Sequence, residues 1–478
     1  MSKLNLEPQT VFGFFEQMSE IPHGSGNIKA ISDWCVNFAK QRDLTYVQDE
    51  LGNVIIFKDG TPGYEQAEPM ILQGHLDMVC EAVPGSTKDM EKEGLTLVVD
   101  GDELHADGTT LGGDDGIAVA MALAVLDAHD LPHPPIEAVF TVDEEIGLLG
   151  ASAIDVSPLK GRRMINIDSE EEGIFTVSCA GGNRTTYTLP LARAPYEGTT
   201  LRLTLGGLLG GHSGGEIHKG LGNSNMLMGR VLYALSQKAD LRLATVAGGT
   251  KDNAIPLHTV AVLATQDPAA VRIAVAELQT TLQNEYRKVD PGLFLHCEDE
   301  AAGAQPMDKA STEKAICLLT CMPNGLQTMS ADIDGLVQTS LNLGILTTEQ
   351  GTLSASFSVR SSVESQKQMM VDRIRCLMAQ LGGSISIHGD YPGWEYLANS
   401  PLRDLMVEVY RDQYGKDPKV EAIHAGLECG LFAGKLPGFD SVSIGPDMSG
   451  IHTSRERLSI PSTQRTWKLL CEVLRRAK

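Results

Sequence analysis

Paired cysteines, a membrane-spanning run and a basic surface are what this sequence is short of. Its 478 residues include 9 cysteines, an odd number scattered from Cys35 to Cys471, with no Cys-x-x-Cys pair to mark a redox centre or a zinc ribbon. Reduced thiols in a cytoplasm are therefore expected. The longest apolar run, Ile117 to Leu126 in GIAVAMALAVL, is about half of what a bilayer requires and reads as a buried helix. Lysine and arginine total 39 against 62 aspartates and glutamates, and the resulting formal charge of −23 repels nucleic-acid backbones and anionic lipid surfaces. No repeat of fixed period and no heptads appear, and no Lys-Ser/Thr follows the glycines of GLLGGHSGG, which argues against a phosphate cradle. The opening MSKLNLEPQTVFGFFEQMSEIPH puts acidic and polar residues where a signal peptide carries an apolar core, so an amphipathic helix is expected there.

What is present fits a multidomain globular chain. The length exceeds what one core usually organises, and 42% hydrophobic residues without a long biased stretch disfavour disorder. The segment NIKAISDWCVNFAKQRD has helical spacing and TYVQDELGNVIIFKDG reads as a hairpin. Four segments, EPMILQGHLD, IEAVFTVDEE, RRMINIDSEE and FDSVSIGPD, each run from a short apolar stretch into a polar or acidic cluster, as buried strands ending in loops do. Helical stretches between some of them predict an α/β domain with a largely parallel sheet, in which ligands gather beyond the carboxyl ends of the strands. The middle third alternates half-buried strand patterns with amphipathic helices and reads as an inserted α+β unit. The predicted division is residues 1–188 and 390–478 for the first domain and 189–389 for the insertion.

The polar clusters carry the chemistry. In QGHLDMV, strand alternation places His75 and Asp77 on one side; alone, such a pair is usually surface or satisfied core. Asp114 and Asp115 stand before the apolar helix, where one carboxylate suffices as a cap and the second is free for a cation. Asp143, Glu144 and Glu145 follow another strand, where mutual repulsion raises their pKa values unless a cation is near. Asp168 ends a third strand and His452 follows a fourth. Each is ordinary by itself. A parallel sheet gathers them at one mouth, and imidazoles with carboxylates but no thiolate suit zinc, cobalt or manganese, with one bridging carboxylate allowing a pair of ions. A pair of ions suits hydrolysis. Of the adjacent Glu144 and Glu145, one would be base and one ligand, and spacing does not say which.

In order along the chain, GHLDMV, TTLGGDDGIA, DEEIG, INIDSEEEG, GGHSGGEIH, NAIP, YPGW, HAGLECGLF and VSIGP resemble the dipeptidases of the aminoacyl-histidine, or cytosol non-specific, type. These belong to the co-catalytic zinc peptidases that include carnosinase, aminoacylase and tripeptidase, and the resemblance spans nearly the whole chain. It implies two zinc ions, one held by His75 and Asp168, the other by Glu145 and His452, with Asp114 bridging. It makes Asp77 the residue that orients His75, Glu144 the general base, and leaves Asp115 as a helix cap. It implies that the insertion is a lid and dimerisation unit in which His212 steadies the carbonyl oxygen, while Asn253 and Arg360 match positions that hold a substrate carboxylate. Cys429 keeps a structural reading. The chain departs from the pattern at Asp143, where relatives carry Thr, and at Ile451 and Thr453 around His452, where Pro-His-Ser is the familiar form.

The expectation is a cytoplasmic, homodimeric, metal-dependent hydrolase of unblocked dipeptides, notably Xaa-His. Its rivals are a longer-peptide aminopeptidase or tripeptidase, an N-acyl amino-acid deacylase, and a metal-binding scaffold without turnover. Retention of His75, His452 and Glu144 argues against the scaffold.

Overall fold

A computed structural model describes residues 4–301, 303, 305–349 and 351–478. The chain divides into two compact units, the first formed by residues up to Cys179 with Tyr396–Ala422 and Leu427–Lys478, the second by Ala180–Glu395 with Ile423–Gly426. The first division precedes the strand Gly181–Pro190, which runs unbroken and pairs along its length with Thr352–Ser361 of the second unit. That strand crosses the sequence-derived boundary at residue 189.

The first unit is built on an eight-stranded sheet. Its centre is parallel: Ile136–Thr141, Met70–His75, Arg163–Asn166 and Asp440–Ser443 lie side by side in that order, the four apolar segments picked out in the sequence. The hairpin Thr45–Gln48 and Val54–Lys58 adds an antiparallel edge. Met70–His75 and Ile136–Thr141 are buried along their whole length, which is why they read as continuous apolar runs instead of alternating ones. The helix Gly113–Asp127 packs on Met70–His75 and on the N-terminal helix Gln9–Ser19. It is apolar on all sides because all sides are covered: Ile117, Val119, Met121, Leu123 and Val125 are fully buried. Burying each of these large side chains is worth about 1.5–3 kcal/mol. Register fixes the functional mouth, since His75 stands opposite Thr141, Gln73 opposite Asn166, and Asn166 opposite Ser443.

The second unit is antiparallel throughout its nine-stranded sheet and is α+β as expected. It contains a duplication that the sequence does not display. Strands Thr199–Gly206, Leu241–Gly248, Thr259–Thr265 and Phe294–Asp299, with helices Ser224–Ser236 and Pro268–Tyr286, form a βαββαβ motif of spatial order 4-1-3-2. Strands Gly181–Pro190, Val337–Glu349, Thr352–Ser361 and Ser384–Tyr391, with helices Lys309–Cys321 and Glu364–Leu381, repeat that order. The first motif is nested after the opening strand of the second, and they join where Gly248 meets Leu346. Nesting separates the opening strand of the second motif from the rest of it, so the two motifs are not a simple tandem repeat. Among the described residues, no helix is long and apolar enough to cross a membrane.

Candidate active site

At the carboxyl ends of the parallel strands, two imidazoles face one carboxylate. Nε2 of His75 lies 3.2 Å from Oδ1 of Asp114, and Nε2 of His452 lies 3.1 Å from Oδ2 of the same residue. Beyond these, His75 Nε2 is 3.8 Å from Asp168 Oδ1, and His452 Nε2 is 2.9 Å from Glu145 Oε1. The sequence-predicted ligands His75, Asp114, Glu145, Asp168 and His452 are thus brought together. Donor atoms of His75, Asp114 and Glu145 all fall within 4.8 Å of one another, and so do those of His75, Asp115 and Asp168. Two donors each about 2.0–2.1 Å from a tetrahedral ion stand about 3.3–3.4 Å apart, so the spacing of these atoms suits small divalent cations.

Charge supports the same use. Burial, then the neighbouring Asp115, pushes the Asp168 carboxyl well above its ordinary range, and burial does the same to Asp115. Burial works against a charged His75, yet Asp114, Asp77 and Asp168 outweigh it and raise its pKa well above 6.5. Asp114 also resists burial, held well below the usual carboxylate range by His452 and His75. His452 is raised to about 10, first by Asp114 and Glu145. Acids this close and this buried call for positive charge, which protons on the imidazoles supply here and cations would supply better.

Asp77 does more than orient a histidine. His75 Nδ1 meets the Asp77 main-chain oxygen at 2.9 Å, nearer than the Asp77 carboxylate at 3.6 Å. The carboxylate instead accepts the backbone N–H groups of Glu144 (3.0 Å) and Glu145 (3.3 Å) and the Ser25 hydroxyl (2.8 Å). It thereby anchors the acidic loop, in which Asp143 adopts a left-handed φ of 53°. The Glu144 carboxyl is pushed up to about 8, chiefly by burial and then by Glu428, Glu145 and Asp114, with His75 opposing.

The helix-cap reading of Asp115 is corrected. The helix starts after Gly112 in the left-handed region, with no capping side chain at that residue, and the Asp114–Asp115 peptide bond is cis. Asp115 is fully buried and turns toward the strand, where Oδ2 accepts the backbone N–H of His75 at 3.2 Å while Oδ1 has no hydrogen-bond partner. Capping comes from Glu456, whose carboxylate accepts the N–H groups of Leu111, Gly112, Gly113 and Asp114. Sequence reading passed over Glu456 because nothing in its spacing ties it to a helix more than three hundred residues earlier. It also passed over Glu428 in HAGLECGLF, which is fully buried and accepts Gln73 Nε2 (2.5 Å) and Thr141 Oγ1 (2.7 Å) beneath the strand ends. Cys429, also fully buried, accepts the Ser441 hydroxyl at its sulfur.

The remaining candidates lie in the second unit. His212 belongs to a short ribbon in which it pairs with Ala254, and the Ser213 N–H donates to the Asn253 oxygen at 2.9 Å. Asn253 and Arg360 line one cavity of about 270 Å³ with Asn183, Arg184, His388 and Tyr391, and Arg184 pairs there with Asp252. The Nε of Arg360 is buried without a hydrogen-bond partner. The N–H groups of Gly214 and Gly215 donate to His212 Nδ1 at 3.3 and 3.2 Å, which makes Nε2 the protonated nitrogen of the neutral ring. Burial, then Arg360, lowers the His212 pKa and keeps it neutral. A Cβ on Gly214 would stand 2.7 Å from the His424 main-chain oxygen and 3.0 Å from His212 Cε1, so that close approach requires glycine.

Comparison with known proteins agrees with this arrangement. The model of Peptidase family M20/M25/M40 matches residues 71–476. The cytosol non-specific dipeptidase of Escherichia coli (strain K12) is 38% identical over 480 residues, covering 99% of both chains. The crystal structure of aminoacylhistidine dipeptidase from Vibrio alginolyticus superposes with a TM-score of 0.94 at 36% identity, covering 99% of this chain and 98% of that one. Aminopeptidase PepT from Bacillus cereus ATCC 10987 shares the fold, with a TM-score of 0.56 at 15% identity over 99% of each chain. The matched region takes in His75, Asp114, Glu145, Asp168 and His452, and the chain belongs to Peptidase family M20/M25/M40.

Proposed function

We infer that this chain is a metal-dependent dipeptidase that hydrolyses unblocked dipeptides, Xaa-His among them. The observation that carries the reading is Asp114, whose two oxygens each face a different imidazole as a bridging carboxylate would. Similarity over nearly the full length to relatives named as dipeptidases supports the substrate class. His75 and Asp168 would hold one cation and Glu145 and His452 the other, with Asp114 shared; zinc suits these ligands, and cobalt or manganese fits them too. Such a pair supplies Lewis acidity and a water acidic enough to attack near neutral pH.

The chain's own groups do the rest. Glu144, raised by burial, is suited to take the proton of the attacking water and return it to the leaving amine. Asp77 holds that glutamate's backbone in place. His212, with its proton on Nε2, is a neutral donor for the carbonyl oxygen as negative charge develops there. Asn253 and Arg360 receive the substrate carboxylate, for which a guanidinium whose Nε is buried without a hydrogen-bond partner is suited. The inserted unit is accordingly the lid, and the same reading makes it the homodimer contact; sedimentation at a single-chain mass would remove the dimer. A cytoplasmic setting accords with nine cysteines that are all free.

The test compares Ala-His, a tripeptide and N-acetyl-histidine at equal concentration, before and after chelation. Hydrolysis of Ala-His alone or foremost, lost with chelator and restored by zinc, is expected. Preference for the tripeptide or for the blocked amino acid would replace the reading with an aminopeptidase or a deacylase, and no turnover by metal-loaded protein would favour a scaffold.

A further inference from the structure

We propose that Glu456 is a positioning residue that locks the two ligand-bearing loops of the metal centre to each other, and so sets the binding of the ion at His452. The proposal rests on the ligand reading above. The Glu456 side chain is 3% exposed, and both carboxylate oxygens are used twice. Oε2 accepts Leu111 N–H at 2.7 Å and Gly112 N–H at 3.1 Å; Oε1 accepts Gly113 N–H at 2.8 Å and Asp114 N–H at 3.3 Å. Four consecutive backbone donors therefore converge on one carboxylate, and the last belongs to the residue that faces both imidazoles.

The other end of the tether is equally short. Glu456 lies four residues after His452, in a turn closed by Thr453 N–H to Gly450 O at 3.2 Å, Thr453 Oγ1 to Gly450 O at 2.6 Å and Glu456 N–H to Thr453 O at 3.1 Å. Within this turn His452 has a left-handed φ of 57°, a conformation that costs a non-glycine residue on the order of 1–3 kcal/mol and persists only where the surroundings enforce it. Its side chain is 46% exposed, so packing does not enforce it. The pairing of Met448–Ser449 with Arg457–Leu458 closes the turn, and the buried Glu456 carboxylate ties it to the backbone of the loop 111–114. Gly113 completes the fit: a Cβ there would stand 3.2 Å from both Glu456 Oε1 and Met448 Sδ.

A cap that served only the helix would look similar but behave differently when altered. Replacing Glu456 with glutamine keeps the shape, removes the charge and turns an N–H₂ group toward two backbone donors. A merely structural role would lower the melting temperature and leave the metal isotherm of the folded protein as it was. A positioning role loosens Asp114 against His452 and weakens the ion they share, on the scale of the 10–100-fold losses seen when groups supporting metal ligands are removed.

The experiment uses the full chain, stripped by chelator and titrated with cobalt(II) by calorimetry and visible absorption, with the melting temperature recorded in parallel. Wild type should take up two ions, and His452→Ala one. Glu456→Gln should bind the first ion as wild type does, bind the second at least tenfold more weakly, and alter the absorption bands that grow in with the second equivalent. Its kcat should fall with KM changed less than threefold. A folded Glu456→Gln protein with the wild-type isotherm and spectrum would overturn the proposal. If the glutamine variant does not fold, Gly113→Ala decides, because its methyl presses on Oε1 without removing the charge: weakened second-ion binding supports the proposal and an unchanged isotherm overturns it. Failure of wild type itself to bind two ions would instead overturn the ligand reading.

Discussion

The two imidazoles of the site are held in opposite ways. His75 ends a buried parallel strand, is 1% exposed, and is fixed by the Asp77 carbonyl and by the Asp115 carboxylate behind its backbone. His452 sits on a turn, is 46% exposed, has a left-handed backbone, and depends on a carboxylate four residues away. One half of the site is therefore a consequence of the fold, while the other is added to it by a loop. A strand end surrounded by apolar layers can present acids only when something offsets their desolvation; a loop can present a ligand cheaply but needs separate fixing.

Glu144→Gln tests whether both halves serve one reaction. It should lower kcat by about 10²–10⁴-fold while two ions stay bound, measured by dipeptide turnover and metal analysis of the same sample. Loss of metal in step with activity would make Glu144 a ligand and break the division of roles.

The comparison is sharpest in paired alanine variants. In metal-free protein, His75→Ala should cost about 3–5 kcal/mol in denaturant unfolding, because it leaves buried acids without their imidazole. His452→Ala should cost less, since its imidazole is half exposed even though its partners Asp114 and Glu145 are buried. Equal costs would mean that the exposed half is as firmly built in as the buried one.

Asp77→Asn reaches both halves, because the carboxylate holds the backbone of Glu145 as well as that of Glu144. One amide oxygen cannot accept from Glu144, Glu145 and Ser25 together, so kcat/KM should fall about 10–100-fold. An unchanged rate would show that the acidic loop holds its shape without the anchor.

The second unit offers a contrast in pH dependence. His424, hydrogen-bonded to Ser340 Oγ at 2.7 Å, is lowered to about 3 by burial and then by Arg360, with His212 also repelling its charge and the Val337 backbone opposing. A histidine whose folded pKa is depressed adds stability above its unfolded value near 6.5 and loses it as pH falls toward 3. Unfolding free energy should therefore decline across that window by up to about 1.4 kcal/mol per pH unit from this group, and His424→Gln should flatten the slope. An identical slope in the variant would remove His424 as its source.

The same contrast explains what could be read from the chain. The strands ending at His75, Thr141 and Asn166 were legible because buried parallel strands write themselves as apolar runs, and the candidate residues His75, Glu144, Glu145 and Asp168 stand at or just after their ends. His452 was reached by resemblance more than by pattern, and its turn differs from the familiar form. Asp115 was misread because an acid before a helix looks like a cap, whereas its side chain points back to the strand. Glu456 was invisible because its partners are backbone amides, which carry no sequence signal. The boundary at Ala180 and the nested βαββαβ motifs were hidden for a related reason: the division falls just before a continuous strand, and a duplication interrupted by its own copy is not a simple tandem repeat.

The claim on which the account turns is that Asp114 joins the two halves. Anomalous diffraction at the zinc edge, from crystals of zinc-loaded full-length protein, tests it directly. The account predicts two peaks per chain, one against His75 and Asp168 and one against His452 and Glu145, with Oδ1 of Asp114 on the first and Oδ2 on the second. A single peak, or two peaks with Asp114 bound to only one of them, would contradict it.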